Sequence, residues 1–435
     1  MTQEPATVTI EKLVQGGRGL ARRDGRVVLV RGAIPGERVA LVAEARHKGV
    51  QEARVGEVLE ASPDRVPAPC PVYERCGGCQ LQHLAYEAQL VQKGAILKET
   101  LARVGKLTVE DLPPVVPSPA PYGYRSTVRF MVFAAGDGKD GRRALTLGFH
   151  REGSQDPVPA ADCLLASETI RAAAAAIDAR LAAGARPSLH LESVEIRAST
   201  AFASLLLVWH TGPARPDEAK RVFDLFEDLP RLSGQVLLAQ NHKRWVQGQD
   251  WIEDRMGDLI FRIGDRSFMQ ANWPLASVVS RTIVEWAAPP EGARVLELYA
   301  GVGMLGLPLA RAGALVTEVE ANEAALADGR HAAKANHVGR CRFRPLTVEA
   351  LLAEVKPGDY DLVLMDPPRT GLSPESVREL VRVGPPRLLY LSCDPATLAR
   401  DLARFTAGGY RLARLQAFDM FPQTAHLETL VELAR

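Results

Sequence analysis

The sequence contains no apolar run approaching the roughly 20 residues of a membrane helix, so no passage through a membrane is expected. Its opening, MTQEPATVTI, has neither a basic n-region nor an apolar h-region. Nothing there points to export, and the expected location is the cytoplasm. Charge of one sign is also missing: 53 Lys plus Arg stand against 52 Asp plus Glu, for a net charge of +1. That balance argues against wholesale wrapping in nucleic acid and leaves any RNA contact to local patches. Cysteine is scarce. Six unevenly spaced residues do not make a disulfide framework in a cytosolic chain, so metal binding or catalysis becomes the default reading. No internal repeat is evident, and a monomer is expected.

What is present is length and pattern. A chain of 435 residues exceeds one ordinary core, which predicts two or three domains. Residues 1–60 alternate as short strands (Thr7 to Leu13, Arg26 to Val30, Arg38 to Ala43) with turns at Gly16, Gly17, Gly19 and Gly32, the pattern of a small β-barrel. Lys12, Arg18, Arg22, Arg23, Arg26, Arg46 and Lys48 are scattered through it, as an oligonucleotide-binding barrel would need for phosphates. An ordinary solvated surface explains them equally well. A central α+β region, residues 61–265, holds a Cys-rich segment, a helix near residues 86–105 that can pack on the catalytic domain, a Pro-rich linker from Leu112 to Pro121 and an Ala-rich helix from Ser167 to Ala183. Over residues 266–435 short apolar strands alternate with helices, predicting an α/β Rossmann-like doubly wound sheet. Its strands are Arg294 to Leu298, Leu315 to Val319, Leu362 to Met365 and Leu388 to Ser392, closed by a hairpin near residues 411–434.

In VLELYAGVGMLGLPLA a strand ending at Glu297 runs into a loop with Gly301, Gly303 and Gly306. Taken alone this G-x-G-x-x-G is also the dinucleotide fingerprint, and Glu320 at the end of the next strand suits a ribose in either case. Glu297 separates the two readings. A carboxylate beside the loop repels a pyrophosphate but suits the cationic amino group and sulfonium of S-adenosylmethionine, so the methyl donor is favoured over NAD.

Two later strands end in chemistry. YDLVLMDPPRTG ends a strand at Asp366, with two prolines stiffening the loop that follows. Adenine-N6 methylation places an aromatic ring after such prolines to stack on the base, and Arg369 stands there instead. RLLYLSCDP puts Cys393 at the carboxyl edge of the sheet, where ligands bind. Carbon 5 of a pyrimidine becomes nucleophilic only when something adds at carbon 6, which a thiolate does well, and the carbon 5 proton must then leave to a base. A buried structural cysteine is the competing reading. The Pro-Cys pair of RNA cytosine-5 enzymes is absent from DPPRTG, which favours uracil. Elsewhere Cys70, Cys76 and Cys79 have the spacing C-x5-C-x2-C, and Cys163 follows at a distance. A closed four-thiol site of this kind suits zinc or an iron–sulfur cluster, and the spacing does not match the C-x3-C-x2-C of radical chemistry. Cys341 falls outside both sets and reads as a small packing residue.

SFMQAN, ELYAGVG, VEAN, DPPRTG, LSCDPATLARDL and DMFPQTAHLETL together resemble the RNA uracil-5 methyltransferase family over nearly the whole chain. The resemblance implies that Cys393 is the nucleophile and Glu428, in HLETL, the base that removes the carbon 5 proton. It implies that Gln270, Tyr299, Glu320 and Asp366 line the S-adenosylmethionine site, with Asp366 also near the target base. Met304 stands where relatives often have Asn, and Thr347 where they often have Asn or Asp. The barrel (a TRAM domain) joined to the four cysteines is similar to the subgroup acting on 23S ribosomal RNA, and implies a [4Fe-4S] cluster rather than zinc on Cys70, Cys76, Cys79 and Cys163. Arg125 and Arg129 in YGYRSTVRF, and Phe149, His150 and Arg151 in GFHRE, interleave rings and cations as single-stranded RNA binding requires; half-buried strands account for them equally. A transfer RNA enzyme and a non-catalytic RNA-binding or folding factor are the alternatives. His426, two residues before Glu428, reads first as a packed or solvated side chain.

Overall fold

The computed structural model describes residues 6–47, 50–135, 144–183 and 189–435. Lys48 lies outside them, and the side chain of Arg46 is likewise not described. Six N-terminal strands, β1 (Thr7–Thr9), β2 (Lys12–Val14), β3 (Arg18–Arg23), β4 (Arg26–Arg31), β5 (Arg38–His47) and β6 (Val50–Glu60), form one sheet in the order β1-β5-β6-β4-β3-β2. It is a partly closed barrel around Val8, Ile10, Ala21, Val28, Val30, Val39 and Leu41. The stretch expected as one strand from Thr7 breaks into β1 and β2, because Ile10 N–H turns to Glu37 O and Glu11 N–H to Leu20 O. Asp24 and Gly25, with φ of 50° and 73°, make the tight turn between β3 and β4. Several barrel cations are already paired within the protein: Lys12 with Glu99 at 2.7 Å, Arg18 with Glu52 at 2.9 Å and Arg22 with Glu11 at 3.5 Å. These three of the seven named cations are thus partnered within the protein.

After α1 (Tyr86–Arg103) comes a mixed sheet, order β13-β12-β11-β10-β7-β8-β9, built from β7 (Thr127–Ala135), β8 (Ala144–His150), β9 (Pro157–Pro159), β10 (Leu191–Ala198), β11 (Leu205–Thr211), β12 (Leu232–Ala239) and β13 (Arg244–Gly248). Helices α2 (Glu168–Ala182) and α3 (Pro216–Asp224) cover it through Ile170, Ala174, Ile177, Val222 and Phe223. The hairpin β14 (Trp251–Met256) and β15 (Leu259–Gly264) follows, and its Ile252, Phe261 and Ile263 share a core with Trp273, Val295 and Leu364.

The third sheet combines β16 (Arg294–Leu298), β17 (Leu315–Val319), β18 (Cys341–Arg344), β19 (Leu362–Met365), β20 (Arg387–Ser392), β21 (Arg411–Phe418) and β22 (Glu428–Ala434). Its order is β18-β17-β16-β19-β20-β22-β21. The first five strands are parallel and β22 runs against both neighbours. Helices α4 (Trp273–Ala287), α5 (Gly306–Arg311), α6 (Glu323–Ala335), α7 (Val348–Glu354), α8 (Pro374–Val383) and α9 (Pro395–Ala407) flank it. Fully buried apolar strands such as LVLM in β19 are what a parallel sheet covered on both faces requires. The chain winds one way from β16 to β17 and β18 and the other way to β19 and β20, so the switch point, where ligands bind, falls between β16 and β19. Leu97 and Leu101 of α1 are buried with Leu398, Ala399 and Leu402 of α9. Phe418 pairs with Val116 of the Pro-rich linker, which covers part of the outer edge of β21.

Candidate active site

Four strand ends deliver the site. Beyond β16, Tyr299 (φ 61°), Gly301 (φ 57°) and Gly303 (φ 76°) turn through left-handed backbone, a path open to glycine and strained for tyrosine. Gly301 N–H donates to Glu320 Oε2 at 3.1 Å, while Glu320 Oε1 accepts from Asn322 N–H at 2.7 Å. The acid after β17 is thus tied directly to the glycine loop. Tyr299 packs its half-buried ring against the layer formed by α7 and α8, and burial followed by the Glu349 charge pushes its hydroxyl up to about 12. Gln270 precedes α4 with 7 % exposure and makes no side-chain hydrogen bond among the described residues. Its amide is free for a ligand.

Glu297 lies against the glycine loop, as expected, but it is paired there with a second acid. It ends one residue inside β16, in register with Glu318 of β17. Both carboxyls are buried against each other beneath Gly306, where any Cβ would collide with them. Desolvation, reinforced for Glu297 by the Glu318 charge, raises its pKa well above the carboxylate range, and burial raises that of Glu318 as well. Two unsolvated carboxyls in contact hold a proton between them, so Glu297 supports the loop from below and is no free anion for a sulfonium. Met304 packs in the core, and Thr347 caps α7 by accepting from Ala350 N–H at 3.2 Å.

Across the switch point, Asp366 follows β19, Cys393 follows β20 and Glu428 begins β22. Because β22 is antiparallel, its first residue lies at the edge where the parallel strands end, and Thr429 pairs with Ser392. Glu428 therefore arrives beside Cys393. Asp394 caps α9, accepting from Ala396 N–H at 2.9 Å and Thr397 N–H at 2.8 Å, and the turn is fixed by Pro395 at the first helical position. The same helix holds the DPPRTG loop: Thr397 Oγ1 donates to Arg369 O at 3.2 Å, Arg400 donates to Thr370 O at 2.9 Å, and Asp401 accepts from Leu372 N–H at 2.9 Å. Cys393 and the DPPRTG loop share one support.

The electrostatics bring the same residues together. Burial first, then the Glu428 and Asp366 charges, push the Cys393 thiol up to about 11, against a lowering by Arg369. Burial raises Asp366 to about 7. Glu428 stands well above the carboxylate range, through burial and Asp366, again opposed by Arg369, and its Oε1 is buried without a hydrogen-bond partner. Arg369 is the residue that sequence reasoning undervalued, noticed only for the ring it replaces. His426 is driven down to about 4 by burial and by Arg369, Lys93 and Arg125, and its ring meets Phe421 edge-on at 5.9 Å. It is neutral and packed. Cys341 lies on edge strand β18 against the core.

Cys70, Cys76, Cys79 and Cys163 line one cavity of about 320 Å³, with Gln82, Arg125, Phe149 and Asp162. None forms a disulfide. Cys79 rises to about 12 through burial and the nearness of Cys163, Cys76 and Cys70, partly offset by Gln82. Among the described residues no group of three or more His, Cys, Asp or Glu side chains is drawn together tightly enough to hold a metal ion, so the thiols share a cavity without a closed ligand geometry. Of the aromatic and cationic residues near it, Arg129 pairs with Glu195 at 2.9 Å, Arg151 with Asp156 at 3.8 Å, and Phe149 packs against Phe130 with the rings tilted by 35°. Arg125 lies over the Tyr124 and Phe421 rings.

A glycine loop tied to an acid at the switch point of a doubly wound sheet, with a thiol, two acids and an arginine beside it, defines a methyltransferase fold with a cysteine in its cleft. The chain belongs to the tRNA (uracil-5-)-methyltransferase family, whose pattern matches residues 85–435. It is 36% identical to the 23S rRNA (uracil(1939)-C(5))-methyltransferase RlmD of Pseudomonas putida, over 97% of this chain and 92% of that one. It is 34% identical to an uncharacterized RNA methyltransferase of Gloeobacter violaceus, over 99% and 97%. Its structure is similar to that of the Pyrococcus abyssi tRNA (uracil-54, C5)-methyltransferase in complex with S-adenosyl-L-homocysteine, with a TM-score of 0.76, 27% identity, and 98% and 99% coverage.

Proposed function

We propose that the protein methylates carbon 5 of a uridine in RNA, with S-adenosylmethionine as methyl donor and 23S ribosomal RNA as substrate. The observation that carries the mechanism is the antiparallel β22, which sets the unpartnered carboxyl of Glu428 beside Cys393. Cys393 loses its proton to solvent, and the thiolate Sγ adds to carbon 6 of the uracil, moving the carbon 5–carbon 6 π pair onto carbon 5 and the adjoining carbonyl as an enolate. The ring's electron pair at carbon 5 takes the methyl group, which the donor supplies when bound. Glu428 then removes the carbon 5 proton, and the pair left behind expels the thiolate. Arg369 lowers the thiol and stands to balance negative charge on the ring. Gln270, Tyr299, Gly301, Gly303, Glu320 and Asp366 are read as the donor site, with Asp366 also reaching the base.

RNA containing 5-fluorouridine tests this, since fluorine blocks the last elimination. Wild type is expected to form a stable covalent complex and Cys393→Ala none; absence of a complex with wild type overturns the mechanism. Full-length similarity to a 23S rRNA enzyme supports the ribosomal substrate, whereas the structural neighbour is a tRNA enzyme by name. Mapping 5-methyluridine in both RNAs from cells lacking the protein decides between them. A ribosomal substrate goes with activity in the cytoplasm. One chain supplies every group, so a monomer suffices.

We further read the chain as three parts, residues 1–60, 61–265 and 266–435, the middle one bearing a [4Fe-4S] cluster on Cys70, Cys76, Cys79 and Cys163. Convergence of four thiols on one buried cavity supports it, and bound, the cluster would tie distant segments together as a structural metal does. Visible absorption with about four irons per chain after anaerobic purification is expected; stoichiometric zinc in a colourless protein would refute it.

A further inference from the structure

The carboxyl of Glu428 makes no hydrogen bond among the described residues, and one oxygen is buried bare. Its position is therefore inherited from its backbone. That backbone arrives through a strap, Asp419 to Leu427, which leaves β21 and returns as β22. The strap is held by buried polar contacts from far along the chain.

Lys93 on α1, with a side chain 1 % exposed, donates to Asp419 Oδ1 at 2.5 Å and to Phe421 O at 3.1 Å. Gln89, one turn earlier, pairs reciprocally with Gln423: its Nε2 donates to Gln423 Oε1 at 3.0 Å and its Oε1 accepts from Gln423 N–H at 3.1 Å. From the cysteine segment, Gln80 N–H and Leu81 N–H both donate to Gln423 O, at 3.0 and 2.9 Å, and Gln80 Oε1 accepts from Ala425 N–H at 3.2 Å. Asn272 Nδ2 donates to Met420 O at 3.3 Å and Tyr124 Oη to Pro422 O at 3.2 Å. In the barrel, Gly17 has room for no side chain without crowding Ala425 and Gln80. Gln423 sits at φ 69°, a left-handed conformation that a non-glycine residue adopts only when its surroundings enforce it.

We propose that Gln80, Gln89 and Gln423 are positioning residues for Glu428, and that this strap governs the release of the methylated adduct rather than its formation. This rests on the reading of Glu428 as the base. Barrel, cysteine segment and α1 meet at Gln423 and Ala425, five and three residues before the base, whereas Cys393 and the DPPRTG loop take their hydrogen bonds from α9 and its cap and none from Gln80, Gln89 or Gln423. Loosening the strap displaces the proton acceptor and leaves the nucleophile in place.

The test separates the two steps, using the full-length protein and RNA with uridine or 5-fluorouridine. Gln423→Gly relieves the strained φ and removes the side-chain acceptor for Gln89 Nε2, leaving the backbone N–H bond to Gln89 Oε1; Gln80→Ala removes the acceptor for Ala425 N–H. Both are expected to form the fluorouridine adduct at the wild-type rate and to release product from ordinary RNA about 10- to 100-fold more slowly, as an angstrom-scale misplacement would, with methylated adduct accumulating. Gln80→Glu keeps the acceptor oxygen and should restore release. Equal slowing of both steps, or release at the wild-type rate in both variants, overturns the proposal. Gln80→Ala changes a half-buried side chain, so it carries the test should Gln423→Gly lose stability. A Glu428→Gln control keeps the outcomes distinct. If it traps adduct while the strap variants do not, the strap proposal fails alone; if it releases normally, the base assignment fails first.

Discussion

Replacing Glu428 with Gln should have opposite effects on two properties of Cys393. On RNA it removes the proton acceptor and strands the adduct. In the free protein it should make the thiol more reactive. The rise of the thiol from 9 to about 11 corresponds to about 3 kcal/mol favouring the protonated form, at about 1.4 kcal/mol per tenfold. Burial is the largest cause, and an amide in place of the carboxylate would leave it intact. Glu428 comes next, then Asp366, with Arg369 opposing. Assigning about 1 kcal/mol to the Glu428 charge gives a roughly three- to tenfold larger thiolate population wherever that carboxyl is ionised. The sign follows from removing a negative charge beside a group that becomes negative. Iodoacetamide alkylation of the Cys393 peptide, followed by mass spectrometry from about pH 7 to about pH 10, should become faster by that factor in Glu428→Gln as pH rises and the wild-type carboxyl ionises, because only the thiolate reacts. Arg369→Gln should run slower. An unchanged or slower rate in Glu428→Gln would mean that the two side chains do not sense one another, and would remove the physical basis for placing them in one site.

Other consequences are as direct. Lys93→Met leaves Asp419 buried and unpaired and should cost about 3–5 kcal/mol in urea unfolding, with much of it recovered by adding Asp419→Asn. Gly306→Ala drives a methyl into Glu297 and Glu318 and should cost about 1–3 kcal/mol by the same measurement. The Glu297–Glu318 pair has raised folded-state pKa values, so its stabilisation is complete below the ordinary carboxylate range and is lost as pH climbs through the raised values. Glu318→Gln should therefore lessen the fall in stability between about pH 5 and about pH 9, read from thermal unfolding; a pH slope equal to wild type would contradict the buried shared proton.

Four of the five parallel strands were legible because each is a short apolar run, three of them ending in a chemically marked loop: Leu298 before the glycines, Met365 before Asp366, Ser392 before Cys393; the fifth, β18, reads CRFR and was missed because two of its four residues are arginines. Strands β3 and β6 were not legible. Their residues RGLARR and VQEARVGEVLE are rich in charge, and they pair through main-chain register that a sequence does not display. The pairing of Glu297 was hidden for a related reason, since its partner Glu318 comes from the neighbouring strand and nothing local announces the match. Distance along the chain hid the strap as well. Lys93 and Asp419 are 326 residues apart, and a lysine on an amphipathic helix looks like any solvated one until its partner is placed opposite. The pairing of Arg18 was hidden because Glu52 and Glu152, which face it, come from another strand and a turn.

The reversed direction of β22 also has a consequence for synthesis. The nucleophile's strand and its supporting helix are made first, and the base comes 35 residues after Cys393, on a strand that must slot between β20 and β21. A chain interrupted between the two would carry the means to seize a uridine without the means to let it go. Insertion of that late strand completes the sheet and supplies the release step in the same event, so on this reading the growing polypeptide can become a competent catalyst only when its fold is finished.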